Sequence, residues 1–322
     1  MSEAGKIGVV WINTGGPESE QDVPRFIRDM LSDPHVMPVP WPIRPLLAGR
    51  ISRRRREKVL DRYRRMGLPS PVLETSRRQA EELGKRLGSG FSAVAAFRYS
   101  RPSIRQACLE LAGAGVRKVV GLAAFPQASG PTTKSCRKEF GSACRSIGLE
   151  GAWCRSFPDD EGFISSLAEP ARQWASDGTA VLACAHGIPR SMADRGDPYP
   201  AEVDRTRRAL EGALGVEVRL AFQSRLGKAR WLEPYIEDAI REVAGKGARR
   251  LVLVPVSFVC ENLETHFDLD EQAVRIAKEA GIPEVFRVPA PSVAEPFLGA
   301  MAGLVEEAVR SAGWDGKAVG EE

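Results

Sequence analysis

TAVLACAHGIPRSMADRGDPYP, residues 179–200, decides the fold. Six small or apolar residues, 180–185, run without interruption to a single imidazole, His186, and a Gly–Ile–Pro breaker follows at once. A strand covered on both faces reads as a continuous apolar run, and all-parallel sheets are the ones covered on both faces. Ligands of such sheets gather at the carboxyl ends of the strands. The segment therefore predicts a buried parallel strand that delivers His186 to the rim of an α/β sheet.

Seven more strand-like runs flank it: KIGVVWI (6–12), FSAVAAF (91–97), RKVVGLAAF (117–125), GAWC (151–154), VEVRLAF (216–222), RRLVLVPV (249–256) and EVFRVP (284–289). Helical patterns such as PSIRQACLELAGAG (102–115), AEVDRTRRALEGALG (201–215) and WLEPYIEDAIREVAGKG (231–247) lie between them. This alternation predicts parallel sheets flanked by helices. The runs divide into two sets of four that echo each other. FRYSRPSIRQACLELAGAGVRKVVGLAAF (97–125) returns, at an offset of about 130 residues, as FQSR (222–225) followed by WLEPYIEDAIREVAGKGARRLVLVPVSF (231–258). We read two similar Rossmann-like domains, each a four-stranded parallel sheet. They are assigned to residues 1–160 and 161–292, and a C-terminal helix (from residue 293, ahead of the tail to 322) returns to the first domain. A cleft between the halves is the expected ligand site.

Composition narrows the function. With 322 residues, 43% apolar content and no apolar run near the roughly 18–20 residues of a membrane span, the chain reads as a soluble, monomeric globular protein. MSEAGKIGVV has no signal-peptide pattern, so the cytoplasm is expected. The six cysteines form no CxxC pair. Cys136 and Cys144 fall on one expected helix, about 12 Å apart. With Cys154, that spacing argues against a [2Fe–2S] cluster unless the helix breaks at Gly141. The net charge of +4 is uneven: residues 44–65 carry ten Arg/Lys against two acids. No nucleic-acid motif accompanies this block, which leaves an acidic small molecule or an anionic surface as its partner.

Residues 32–56, SDPHVMPVPWPIRPLLAGRISRRRR, combine five prolines with Val36, Met37, Val39, Trp41, Ile43, Leu46 and Leu47. We expect an irregular apolar lid with arginines behind it, touching a membrane at most peripherally.

Two constellations carry chemistry. A neutral imidazole such as His186 either accepts a proton or ligates a metal. Glu261, Glu264, Asp268 and Glu271 recur at i, i+3, i+7 and i+10, one face of an expected α-helix, with Arg275 placed to pair with Glu271. Such a row suits loose binding of a hydrated cation or outward relay of protons. The other histidines, His35 and His266, read as structural or surface residues.

Eight motifs in order then carry a resemblance: NTGGPES, LSDPHVMPVP, YRRMGLPSPVLETSRRQ, AAFRYSRP, FPQASGPTT, AHGIPRSMADRGDPYP, LAFQSRLG…WLEP and PVSFVCENLETHFDLD. From about residue 8 to 304 the chain resembles the ferrochelatases, which insert ferrous iron into porphyrin during haem synthesis. The resemblance implies two Rossmann-like domains with porphyrin between them, and no required cofactor, because iron is a substrate. It implies that His186 and Glu264 are catalytic and bind iron, and that Glu261, Asp268 and Glu271 form the relay. It places Tyr63, Ser70, Arg54, Arg55, Arg98, Tyr99, Trp231 and Phe258 against the porphyrin. Asn262, His266, Phe125 and Gly-Leu-Pro before Ser70 depart from the family pattern. The apolar lid and Thr14, where a tyrosine would suit coproporphyrin III, favour protoporphyrin IX. The alternatives are a coproporphyrin III ferrochelatase, a related chelatase for cobalt or a different tetrapyrrole, and a non-catalytic porphyrin carrier.

Overall fold

In the computed structural model, residues 6–314 are described except 177, 226 and 228. The eight strands form two four-stranded, all-parallel sheets. In the first, β1 (Ile7–Asn13), β2 (Phe91–Phe97), β3 (Lys118–Ala123) and β4 (Glu150–Trp153) lie in the order β2-β1-β3-β4. In the second, β5 (Thr179–His186), β6 (Val218–Gln223), β7 (Arg250–Val254) and β8 (Glu284–Arg287) lie in the order β6-β5-β7-β8. The central strands β1 and β5 each have neighbours on both sides, and residues 9–12 and 182–185 are fully buried. The uninterrupted apolar run is the sequence image of that burial.

Crossover helices begin where the capping chemistry predicts. Ser103 accepts from the Gln106 N–H at 3.2 Å, and the Gln106 side chain accepts from the Ser103 N–H at 2.8 Å, a reciprocal box that starts the helix Ile104–Gly113. Its apolar side closes over β1–β4 with Phe140 and Cys144. In the second sheet the helix Ile236–Gly245 does the same over Leu182, Cys184, Leu251 and Leu253.

The chain divides into two compact units: Met1–Phe125, Gly130–Ser156 and Leu298–Glu322, and Pro126–Ser129 with Phe157–Phe297. The helix Glu295–Ser311 thus enters the first unit from Leu298 onward. There the Cys154 thiol meets the Leu304 carbonyl at 3.5 Å, and Arg155 pairs with Glu307 at 3.0 Å.

Two local expectations are corrected. The region 32–56 is irregular only in its first part, because a helix spans Arg44–Met66. Pro45 falls in its first turn, where a missing N–H removes no intrahelical bond. The acidic segment is not an α-helix either: Thr265–Ala273 is a π-helix that passes into the α-helix Val274–Glu279. Its i→i+5 bonding changes the angle between successive side chains, so an α-helical stripe does not apply. Arg275 pairs with Glu279 at 2.8 Å rather than with Glu271.

The cysteines are all buried. Cys108, Cys136 and Cys144 share one core cluster, whereas Cys154 faces the Leu304 carbonyl. Burial pushes the Cys136 and Cys184 thiols up to about 12, away from the thiolate form that binds metal. Among the described residues, no helix is long and apolar enough to cross a membrane.

Candidate active site

His186 is the last residue of β5, and the row of strand ends beside it is polar. Gln223 pairs with it across β6, and its backbone N–H reaches Ser257 Oγ beyond β7 at 3.3 Å. The buried Tyr199 hydroxyl lies 2.7 Å from both the His186 carbonyl and Ser257 Oγ, bracing the backbone from behind. Burial raises the Tyr199 phenol well above its ordinary value, so it stays a neutral hydrogen-bonding strut.

The imidazole is oriented by one contact. His186 Nδ1 is 2.7 Å from the Gly187 carbonyl oxygen. A carbonyl can only accept, so the neutral ring carries its proton on Nδ1 and leaves a lone pair on Nε2. Among the described residues Nε2 has no hydrogen-bond partner. Phe258 meets the ring edge-to-face, centroids 6.3 Å apart. Trp231 packs beside Gly187, where an added Cβ would lie 3.0 Å from the Gln223 carbonyl and 3.2 Å from the indole. Glycine at this position thus lets the Trp231 loop approach the end of β5 more closely than a larger residue would without a shift of its neighbours.

Strand parity fixes which face His186 uses. Leu182 and Cys184, four and two residues back, pack in the cluster that contains Leu269 and Ala273 of the π-helix. His186 therefore emerges on the sheet face covered by the acidic segment. Asn262 starts that segment: its Oδ1 accepts the N–H groups of Glu264 at 3.0 Å and Thr265 at 2.9 Å. Asp268 is buried and accepts a short hydrogen bond from Ser224 Oγ. Ser224 itself holds a left-handed backbone, φ 69°, at the end of β6. Glu264 and Glu271 are half-buried. Glu271 lies 3.9 Å from His266 Nε2.

Glu261 stands apart from this group. It precedes the helix and accepts from Arg287 at 2.6 Å and from the Ala290 N–H at 2.9 Å. Arg287 also clamps Asp270 through two bonds, at 2.8 and 2.9 Å. Burial works against the Glu261 charge, but the Ala290 N–H and Arg287 outweigh it and hold the carboxyl below its usual range.

In the first unit, sequence reasoning missed the organising residue. Asp33, 3% exposed, accepts from Arg98 Nη2 at 2.8 Å, Tyr99 Oη at 3.0 Å and the His35 N–H at 2.8 Å. Ser135 Oγ adds a short hydrogen bond, and His35 Nδ1 lies 3.0 Å away. Burial opposes ionisation of Asp33, yet Ser135, His35 and the Arg98 charge hold its pKa below the ordinary carboxylate value. The only sequence signal is an acid beside a histidine in LSDPH. Arg98 thus commits Nε and Nη2, and Tyr99 its hydroxyl, to Ser135 and Asp33. Tyr63 and Ser70 are buried; Ser70 precedes the helix Pro71–Leu87 without a side-chain capping bond, and its hydroxyl lies against Gly16. Arg54 is exposed and Arg55 half-buried on the helix Arg44–Met66.

Two four-stranded parallel sheets in this strand order are the frame that solved chelatase structures share with this chain. SirB from Bacillus subtilis with Fe3+ superposes with a TM-score of 0.59 at 12% identity, over 96% of this chain and 98% of that one. The sirohydrochlorin chelatase SirB from Bacillus subtilis subspecies spizizenii, in complex with cobalt, gives 0.56 at 10% identity over the same shares. These likenesses establish the fold. The chain belongs to the ferrochelatase family, whose model matches residues 6–309. It is 34% identical to the ferrochelatase of Aquifex aeolicus over 310 residues, 94% of this chain and the full length of that protein.

Proposed function

We propose that the chain inserts Fe2+ into free-base protoporphyrin IX, with His186 as the proton acceptor. The observation that carries this reading is the Nδ1–Gly187 contact, which leaves Nε2 as the basic atom. The balance is simple: porphyrin and Fe2+ give metalloporphyrin and two protons. No electron moves, so the step requires no redox cofactor.

In this reading Nε2 takes a pyrrole proton, and the Nδ1–H···O=C bond strengthens as the ring becomes cationic. Glu264 stabilises that charge or receives iron as it sheds water. Asp268, steadied by Ser224, and Glu271 carry protons onward. Glu261 shapes the segment through Arg287 rather than relaying. Phe258 and Trp231 supply the aromatic surface a flat macrocycle needs, and Arg54 and Arg55 answer its carboxylates.

Protoporphyrin is favoured over coproporphyrin III by the apolar side chains at residues 41–46, where Trp41 is 75%, Ile43 55% and Leu46 77% exposed. That surface suits two carboxylates and a large apolar edge better than four carboxylates. It also offers a place for peripheral membrane contact; the working form is a cytoplasmic monomer. Anaerobic incubation with Fe2+ and each porphyrin, followed by absorbance, tests the reading. Faster metalation of coproporphyrin III would replace the substrate, and tight binding of both without metalation would leave a carrier.

A further inference from the structure

The first unit holds an open pocket of ≈ 520 Å³ whose lining includes Arg25, Arg98, Arg101 and Arg105 against a single carboxylate, Asp29. Arg25 and Asp29 approach only to 3.8 Å. Arg98 is tied back to Asp33 and Ser135 through Nη2 and Nε, which fixes its position at the pocket. Arg101 and Arg105 have no carboxylate partner among the described residues. Arg101 and Arg105 are exposed, and like charges gathered around one concavity raise the local positive potential that draws in a small anion.

The second unit shows how the same piece of backbone is neutralised when no anion is needed. The Phe97 N–H bonds the Pro102 carbonyl as the Phe222 N–H bonds that of Pro234, both at 2.9 Å. Phe97 bridges Ser103 as Phe222 bridges Tyr235, and Ser103 and Tyr235 each precede a ten-residue helix. Arg101 therefore corresponds to Glu233, Arg105 to Glu237 and Gln106 to Asp238. In the second unit acids meet the positive end of the helix dipole, as electrostatics favours. In the first unit the helix has no acid in its first turn and carries Arg105 there instead. Two charges are inverted and one is lost, all toward positive, around one pocket.

We infer that this pocket binds a small phosphate-type oxyanion. Arginines approaching from several elements suit a tetrahedral group, which accepts on every side, better than a planar carboxylate presenting one edge. The first-turn N–H groups of Ile104–Gly113 add donors of the kind that hold phosphate at helix starts. Because Arg98 both lines the pocket and holds Asp33, occupancy would be felt by the Asp33 network.

Calorimetric titration of the full chain with inorganic phosphate and pyrophosphate, at ionic strength balanced with NaCl, tests this. Saturable one-to-one binding is expected, weakened at least tenfold in the double variant Arg101→Glu/Arg105→Glu, which installs the second unit's charges. Arg145→Glu, an exposed cation elsewhere in the first unit, should leave the affinity within twofold. Absence of saturable binding, equal binding by the double variant, or an equal loss in Arg145→Glu would each overturn the assignment. Citrate serves as the planar-carboxylate arm: tighter binding of citrate than of pyrophosphate would overturn the phosphate class. Thermal unfolding of the ligand-free double variant, expected unchanged, separates lost binding from lost folding.

Discussion

The ends of β1 and β5 occupy the same place in two sheets of one strand order, yet they do opposite things. In the first unit, the polar groups around the strand ends are used up on one another: Asp33 gathers Arg98, Tyr99, Ser135 and His35. In the second unit, His186 commits one ring nitrogen to Gly187 and keeps the other in reserve. Closed networks fix positions, whereas a braced ring whose second nitrogen has no partner among the described residues stays open to a proton or a ligand. The difference teaches that a duplicated frame can hold a closed network in one half and an open ring nitrogen in the other without changing its topology.

The largest expected effect falls on the open ring nitrogen of the second unit. His186→Ala should lower anaerobic metalation about 10³-fold, within the range of a lost general base, while porphyrin binding by fluorescence quenching changes little. A rate within a few-fold of the parent would break the comparison. Next comes the closed network of the first unit. Asp33→Ala strands the Arg98 and Tyr99 groups and should destabilise the chain by about 3 kcal/mol in urea unfolding, and a loss below about 1 kcal/mol would show the network to be incidental.

Acid should expose the same residue. The folded-state pKa of Asp33 lies below its unfolded value, so its contribution is present above about pH 4 and disappears as pH falls through the folded pKa. Asp33→Asn should flatten the acid limb of stability against pH, and an unchanged limb would assign it to other carboxylates. The smallest effect is expected from Arg287→Met, about 1–2 kcal/mol. Its partner Glu261 has a side chain 40% exposed, so solvent already screens part of that pair.

Much of this frame was legible in the chain. The central strands β1 and β5 are uninterrupted apolar runs because both are buried, while the edge strands β4 and β8 are short and only partly covered, and the echo between residues 97–125 and 222–258 announced two similar sheets. The helix Arg44–Met66 was hidden by counting prolines without weighing position: Pro45 sits in the first turn, where it does no harm. The π-helix at Thr265–Ala273 left no signal, because residue types do not distinguish i→i+5 from i→i+4 bonding. Asp33 and Arg287 escaped for a different reason. Their partners lie 65 and 26 residues away, and only the folded chain brings them together.

The helix Glu295–Ser311 has a consequence for how the protein is made. Leu304 and Glu307 complete the surroundings of Cys154 and Arg155, but the ribosome adds them about 150 residues later. Through most of synthesis the nascent first unit must wait with that flank uncovered, while the second unit is complete in sequence before the chain is released. The unit begun first is thus the one finished last.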